Sequence, residues 1–110
     1  MGLLSLFRRV KRMVTPVVPH PDHLHYSIHI RGRVQGVWFR SSAAKKAREL
    51  NLKGFIRHNH YDSLQIEVEG QKEDLEAFID WCKEGPPLAK VEDLTVEPGA
   101  LQGYKGFVIQ

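Results

Sequence analysis

The chain has 110 residues and a mass of 12.6 kDa, which leaves room for one small domain and little else. Its pI near 9.2 suggests a partner such as nucleic acid, but residues 1–21 carry four basic residues and no acidic one, whereas residues 22–110 carry 12 basic and 13 acidic residues. A basic nucleic-acid surface is therefore not expected on the domain, and the single cysteine excludes an intramolecular disulfide.

Residues 1–22 form a basic extension that contains three prolines, and we expect it to be disordered. The apolar segment at its start spans about six residues and precedes the charges, unlike a secretory signal. This, the lone cysteine and the absence of a long apolar run favour a cytoplasmic protein. Apolar and basic side chains within residues 1–14 can share one helical face, so weak membrane contact stays open as an alternative. We place the domain at residues 23–110.

The domain begins with a strand, a loop and a helix. Alternating apolar and polar side chains over residues 24–31 predict a half-buried strand. A glycine-containing loop occupies residues 32–40. After it, Ser41 and Ser42 are expected to cap a helix that ends at Asn51.

A hairpin and a second helix follow. Residues 54–57 and 64–68 are predicted to form two strands, joined by a polar turn over residues 58–63. The apolar stripe over residues 75–82 has the spacing of a helix and includes Cys82, which we expect in the core.

Two further strands complete the pattern. Residues 89–96 predict a fourth strand with a one-residue irregularity near Glu92 and Asp93, and residues 106–109 predict a short last strand. The order is β-α-β-β-α-β plus a final β, which is the α+β, ferredoxin-like split βαβ arrangement. We expect two helices on one face of a largely antiparallel sheet.

Two groups of polar residues are given plain interpretations. The acidic side chains between residues 67 and 76 are interpreted as a solvated face rather than a catalytic carboxylate pair. Four histidines resemble a metal-binding run, but no carboxylate or thiolate joins them at a recognisable spacing. We therefore predict no metal site and interpret them as surface residues of the extension and an edge strand. They are His20, His23, His25 and His29.

The loop over residues 32–40 carries the candidate chemistry. Gly32 and Gly36 let a ligand approach main-chain N–H groups closely, and a helix N-terminus follows. Arg40 adds a planar guanidinium that suits two phosphate oxygens. Together these features predict a site for a small phosphate-bearing group. The loop is neither a Walker A motif nor a Gly-x-Gly-x-x-Gly dinucleotide motif.

The nine residues from Gly32 to Arg40, GRVQGVWFR, resemble the signature of the acylphosphatases, small enzymes that hydrolyse the carboxyl-phosphate bond. The resemblance covers about residues 25–110. It implies a ferredoxin-like fold, a small-molecule acyl phosphate as substrate, and no metal, cofactor or covalent nucleophile. We expect a cytoplasmic monomer. Further matching segments are Gly54-Phe55-Ile56-Arg57, Glu69-Gly70 and Gly85-Pro86-Pro87-Leu88-Ala89.

By this resemblance, Arg40 binds the substrate phosphate and the loop before it supplies a backbone cradle. The family's second catalytic residue is an asparagine on the second strand, which orients the attacking water. Counting without gaps from Gly54 puts His58 there, whereas a bulge before the turn would bring Asn59 into place. Trp38 either forms a wall of the acyl pocket or packs under the loop. The cradle residues are Arg33, Val34, Gln35, Gly36, Val37, Trp38 and Phe39.

Other interpretations stay open. Because His58 departs from the family's asparagine, the main alternative is a degenerate acylphosphatase that binds phosphorylated ligands or a partner without efficient turnover. An RNA-binding ferredoxin-like domain is disfavoured by the near-neutral charge and the missing aromatic pattern. The length of the chain disfavours the acylphosphatase-like module of a hydrogenase-maturation carbamoyltransferase, which has large further domains.

Overall fold

The computed structural model describes residues 23–60 and 62–110. The predicted extension at residues 1–22 lies outside the described residues, and so do its membrane-contact alternative and His20.

The described residues form five strands and two helices in the predicted order. The predicted α+β, ferredoxin-like class is confirmed, with both helices packed on one face of a mostly antiparallel sheet. In chain order the elements are β1 (His23–Arg33), α1 (Phe39–Glu49), β2 (Lys53–His60), β3 (Ser63–Gln71), α2 (Lys72–Glu84), β4 (Lys90–Gly99) and β5 (Phe107–Ile109).

The strands lie in the order β4-β1-β3-β2-β5. All neighbouring pairs are antiparallel except β2 and β5, which are parallel and place Ile56 opposite Ile109. In β4, Asp93 pairs with Arg31 and Val91 pairs with Gly32, so Glu92 is the extra residue of the predicted irregularity.

The core lies between the sheet and the two helices. Alternate side chains of the central strands point toward the helices and are fully buried, as the period-two pattern predicted. Each such Leu, Ile or Phe contributes roughly 1.5–3 kcal/mol to stability. Cys82 is in the core as predicted, and burial raises the pKa of its thiol. The strand and helix residues that meet there include Ile28, Ile30, Ile56, Leu64, Ile66, Val68, Ala43, Ala44, Ala47, Leu75 and Phe78.

The predicted serine cap of α1 is wrong. The helix begins at Phe39, and its N-cap residue Trp38 has a left-handed φ of 64° with no side-chain cap. Ser41 and Ser42 lie inside the first turn, where the Ser41 hydroxyl donates to the Trp38 carbonyl oxygen at 3.3 Å. The start is set by packing rather than by capping, because the Phe39 ring is inserted into the core.

The polar segment predicted as a turn continues β2 instead, as far as His60. His58 pairs with Leu64 of β3 and His60 pairs with Ser63, so Asn59 is an extra residue in a β-bulge. The segment is polar because His58 reaches the candidate site described below and Asn59 and His60 are exposed. A polar strand end of this kind has the composition of a turn.

The surface interpretation of His25 is wrong, and so is the solvated-face interpretation of Glu67 and Glu69, whereas Glu73 and Glu76 are exposed as predicted. β1 is an inner strand, and His25 is only 6% exposed and Glu69 only 1% exposed. His25 Nδ1 lies 2.7 Å from Glu69 Oε2, and His25 Nε2 lies 2.7 Å from Glu67 Oε1. These three residues, which we call the His25 cluster, lie on the sheet face opposite the core, because they alternate with the buried residues of their strands. The sequence did not reveal the cluster, since His25 is 42 residues from Glu67 and 44 residues from Glu69 along the chain.

Further groups complete the hydrogen bonding of the cluster. Glu67 accepts hydrogen bonds from the Ser27 hydroxyl at 2.6 Å and the Gln65 amide at 2.8 Å. Glu69 accepts from the backbone N–H groups of Gln102 and Gly103 in the loop between β4 and β5. The cluster therefore joins two strands to that loop.

Burial and hydrogen bonding act in opposite directions on these groups. Burial alone lowers the pKa of His25, but the hydrogen bonds and charges of Glu69 and Glu67 outweigh it and raise the pKa above its ordinary value. Burial likewise raises the pKa of both carboxyls, but their hydrogen bonds bring each pKa below its ordinary value. The raised pKa of His25 and the lowered pKa values of Glu67 and Glu69 each favour the charged form of the group, that is, an imidazolium between two carboxylates.

Candidate active site

The loop that joins β1 to α1 is fixed by its own apolar side chains. Three of its side chains are buried in the core, whereas Gln35, Gly36 and Trp38 are exposed, so this part of the loop lies at the surface. Gly32 lies near the end of β1, just before this loop. A Cβ atom there would lie 2.2 Å from the Lys90 carbonyl oxygen, so any residue other than glycine would clash. The buried anchors are Val34, Val37 and Phe39.

The backbone at the end of this loop is suited to an anion. Gly36 and Trp38 both have left-handed φ values, of 68° and 64°, which turn the chain sharply into α1. The N–H groups of Phe39, Arg40 and Ser41 occupy the first turn, where an α-helix supplies no intrahelical acceptor. Such N–H groups attract a negative charge, and the helix dipole adds to the attraction.

A pocket of about 280 Å³ opens at this place. None of its lining residues is acidic, so the pocket suits an anionic ligand. Arg33, Gln35, Val37 and Asn59, also predicted as site residues, are not on its wall. The wall is formed by six of the predicted site residues, Val34, Gly36, Trp38, Phe39, Arg40 and His58, together with Ser41 and Ile109.

Arg40 lies in the first turn of α1 with its side chain half-buried. Its Nη1 atom is 3.5 Å from the carbonyl oxygen of Gln110, at the long limit of a hydrogen bond. Among residues 23–60 and 62–110 it has no other hydrogen-bond or ion-pair partner. Most of its donor groups are therefore available to a ligand.

His58 lies on the pocket wall and continues the row of core-facing residues of β2 beyond Ile56. Burial lowers its pKa, the positive charge of Arg40 lowers it further, and the Ser63 backbone opposes these effects only in part. The imidazole is therefore neutral at neutral pH. Its Nδ1 atom is buried and has no hydrogen-bond partner among the described residues.

The bulge separates His58 from its neighbour. Asn59 is the extra residue of β2; it is exposed and does not line the pocket. The predicted bulge is present, but His58 is the residue that it leaves at the pocket. A backbone hydrogen bond of 2.9 Å, from Gly32 N–H to the Asp62 carbonyl oxygen, ties the start of the loop to the β2–β3 connection.

Known proteins share both this sequence pattern and this fold. The family model described as Acylphosphatase matches residues 26–109 of the chain. The chain belongs to the acylphosphatase family. An acylphosphatase from Methylococcus capsulatus is 46% identical over 74 residues, which cover 67% of this chain and 80% of that protein. The crystal structure of an acylphosphatase from Bacillus subtilis matches with a TM-score of 0.77 and 34% identity, over 79% of this chain and 98% of that one.

The same fold also occurs inside a larger protein. The structure of full-length HypF, with phosphate and nucleotide bound, matches with a TM-score of 0.76 and 39% identity. That match covers 83% of this chain but 12% of the HypF chain, whereas the Bacillus subtilis acylphosphatase is covered almost completely.

Three predictions are confirmed by these similarities: the acylphosphatase family, its fold, and an acylphosphatase enzyme. They favour the enzyme over the degenerate alternative, because relatives that are 40–46% identical carry the name of the enzyme. The roles assigned to individual residues stay predictions.

Sequence reasoning missed two residues of the pocket wall. Ser41 follows Arg40 directly in the first turn of α1, and its proximity to the arginine was a signal in favour of it. Ile109 gave no such signal, because only the parallel pairing of β5 with β2 brings it to the site. The Trp38 side chain lies on the pocket wall and is 76% exposed, so it is not packed under the loop; its role as a wall of the acyl pocket stays a prediction.

Within residues 23–60 and 62–110, no group of three or more His, Cys, Asp or Glu side chains has an arrangement that could hold a metal ion. No helix in that part of the chain is both long and apolar enough to cross a membrane.

Proposed function

We propose that this acylphosphatase hydrolyses small-molecule acyl phosphates, with Arg40 and the loop backbone holding the phosphoryl group and His58 orienting the attacking water. The observation that carries the proposal is the convergence of three groups on one pocket. They are the guanidinium of Arg40, the residues of the first turn of α1, and the neutral imidazole of His58 on the pocket wall.

The first step is binding of the phosphoryl oxygens. The N–H groups in the first turn of α1 carry partial positive charge and belong to residues that line the pocket, and the Arg40 guanidinium adds a full positive charge. As the bond to the acyl group breaks, negative charge spreads over the three terminal oxygens. Fixed donors stabilise that charge more than the ground state, so they accelerate the reaction.

The second step is attack by water. A neutral imidazole has one nitrogen that accepts a hydrogen bond, so His58 can hold a water molecule through that nitrogen. The water attacks phosphorus in line with the bond to the acyl oxygen. That phosphorus–oxygen bond breaks, and the acyl group leaves as a carboxylate. A carboxylate is a weak base, so the chain needs no strong general acid. The proton lost by the water passes to solvent or to phosphate, and inorganic phosphate is the second product.

His58 is preferred to Asn59 for this role because of its position on the pocket wall. A histidine there changes the pH dependence, because protonation removes the acceptor nitrogen. Since burial and Arg40 lower the pKa of His58, the water-holding form is present at neutral pH and is lost only as the pH falls through that lowered value.

The test is the hydrolysis of benzoyl phosphate against pH, for the wild type and for His58→Asn, His58→Ala and Asn59→Ala. The wild-type rate should fall on the acid side, and His58→Asn should retain activity without that inflection. His58→Ala should lose about 100-fold in kcat, as expected when the group that positions the attacking water is removed. Asn59→Ala should stay within about twofold, because an exposed side chain outside the pocket holds no water there.

Two outcomes would overturn parts of this proposal. Loss of activity in Asn59→Ala, with His58→Ala unaffected, would move the water-positioning role to Asn59. Absence of hydrolysis at any pH would restore the degenerate alternative, a binder without turnover.

The setting of the enzyme is part of the same proposal: a cytoplasmic monomer that uses no metal, no cofactor and no nucleic acid. Its support is the near-neutral charge of residues 22–110 and the single, buried cysteine. Sedimentation should give the mass of one chain. Treatment with EDTA should leave the hydrolysis rate unchanged, because Arg40 and the backbone N–H groups supply the positive charge.

A further inference from the structure

A second cavity, which we call the helix cavity, lies between α1 and the end of α2. Its volume is about 360 Å³, and none of the residues that line it also lines the pocket that contains Arg40. Small-molecule sites are usually cavities of about 300–1,000 Å³ in which an apolar lining is combined with a few polar groups. The helix cavity has both kinds of lining. Its residues are Ser42, Lys45, Lys46 and Glu49 of α1, Trp81 of α2, and Gly85, Pro86 and Pro87 in the segment after α2.

The apolar side of the helix cavity is held in place by the core. The Trp81 ring packs edge-on against Phe39, with 5.6 Å between the ring centroids, and lies nearly parallel to Phe78 at 6.3 Å. Gly85 turns the chain after α2 with a φ of 71°, and a Cβ atom there would lie 2.6 Å from the Phe39 ring. The two prolines that follow have fixed φ angles. A ligand therefore meets an indole and a proline wall that are already in position.

The polar side of the helix cavity is supplied by α1. It consists of one hydroxyl, two ammonium groups and one carboxylate, at positions 42, 45, 46 and 49, and this spacing places all four on one face of the helix. Two positive charges and one negative charge give the side a net positive charge. Lysine ammonium groups donate hydrogen bonds and accept none, so they pair with acidic groups. The charge of the lining therefore favours an anion.

We propose that the helix cavity is a second ligand site, which binds a small organic anion with a flat apolar body and a carboxylate. The body packs on Trp81 and the two prolines, and the carboxylate pairs with Lys45 and Lys46. An uncharged apolar molecule would leave both ammonium groups without a partner, whereas a small inorganic anion would leave the indole exposed to water. Because this site is separate from the Arg40 pocket, the inference does not depend on hydrolysis of acyl phosphates.

The experiment follows the two indole N–H resonances of the full chain during titration with 2-naphthoate at low ionic strength. The chain has two tryptophans, and each lines a different cavity: Trp38 lines the Arg40 pocket and Trp81 lines the helix cavity. The resonance that persists in Trp38→Phe belongs to Trp81 and reports the helix cavity. The matched uncharged probe is 2-naphthalenemethanol, which has the same ring system.

The Trp81 resonance should shift saturably with 2-naphthoate, and the affinity should fall about threefold to fivefold in Lys45→Ala and in Lys46→Ala, as for one lost surface ion pair. The matched control is Lys105→Ala, which removes an exposed lysine outside the helix cavity and should leave the affinity unchanged. The uncharged probe should bind about tenfold more weakly, and its affinity should not respond to either lysine substitution.

Three outcomes would overturn the inference. One is a shift of Trp38 without a shift of Trp81, because the anion would then bind the Arg40 pocket alone. The second is equal affinity for the charged and uncharged probes, or no loss in both lysine variants, because the cavity would not select an anion. The third is loss of the Trp81 shift in Arg40→Ala, because the shift would then be transmitted from the Arg40 pocket through Phe39.

Discussion

Two histidines of one sheet occupy opposite environments. On the face away from the helices, the ring nitrogens of His25 lie 2.7 Å from one buried and one half-buried carboxylate, and the pKa of the ring is raised. On the other face, His58 has a buried nitrogen without a partner among the described residues, and its pKa is lowered beside Arg40. The hydrogen bonds of His25 join elements of the fold, whereas His58 lies on the wall of the pocket that contains Arg40.

In this small domain, the groups that stabilise the fold and the groups that line the pocket are in separate places. The His25 cluster joins two strands to the loop that leads to β5, and none of its three residues lines the pocket. The pocket instead keeps charged and polar groups unpaired, which costs stability and provides affinity. Variants of the two regions should therefore change different observables.

The largest effect is expected for Arg40→Ala. Removing the charge that faces the phosphoryl group should lower kcat/KM by about 100-fold to 1,000-fold, as for the loss of an oxyanion donor. The midpoint of urea unfolding should hardly change, because Arg40 has only one long hydrogen bond among the described residues. Arg31→Ala, an exposed arginine of β1 outside the pocket, is the control and should change neither quantity. Near-wild-type turnover by Arg40→Ala would sink the mechanism.

The second effect is expected for Glu69→Ala, in the opposite observable. It leaves His25 buried with one carboxylate and frees two backbone N–H groups, so the free energy of unfolding should fall by about 3 kcal/mol. At temperatures where the variant is folded, kcat should stay close to the wild-type value. The exposed Glu76→Ala on α2 is the control for a lost negative charge. A variant that is stable but inactive would mean that the cluster and the pocket are coupled.

The smallest effect is the dependence of stability on pH. The raised pKa of His25 adds stability that is fully present below its ordinary value of 6.5 and is lost as the pH rises through the raised value. The lowered pKa values of Glu67 and Glu69 add stability that is fully present above their ordinary value of 4.5 and is lost as the pH falls through the lowered values.

The cluster should therefore stabilise the fold most between pH 4.5 and 6.5, by an amount on the order of 1 kcal/mol. Urea unfolding of the wild type and His25→Gln, from about pH 4 to pH 9, measures it. The alkaline decline should disappear in His25→Gln, and Tyr104, whose pKa is raised by burial and by the two carboxylates, should contribute only at higher pH. A wild-type profile that does not decline on the alkaline side would show that His25 is neutral in the cluster.

Much of the fold followed from local patterns. The period-two alternation of β1 and β3 and the apolar stripe of α2 predicted their elements, because burial on one face imposes a spacing that can be counted in the sequence. The loop predicted an anion site for a different local reason: its glycines allow close approach to the backbone, and its arginine carries a positive charge.

The rest depended on tertiary contacts that no local pattern records. The His25 cluster needs the pairing of β1 with β3, Ile109 needs the pairing of β5 with β2, and the start of α1 needs the insertion of the Phe39 ring. The choice between His58 and Asn59 needed the position of a bulge. A bulge shifts the alternation by one residue, and the sequence of a polar segment does not reveal where it occurs.

The hydrogen bond from Gly32 to Asp62 has a consequence for the way a substrate enters. It links the segment that precedes Arg40 to the connection that follows His58, so two segments about 30 residues apart in the chain are held together. We expect this link to keep the two sides of the pocket at a fixed distance when an acyl phosphate enters. We expect the free and ligand-bound backbones to superimpose closely, and the rate of encounter, rather than a slow conformational step, to limit binding.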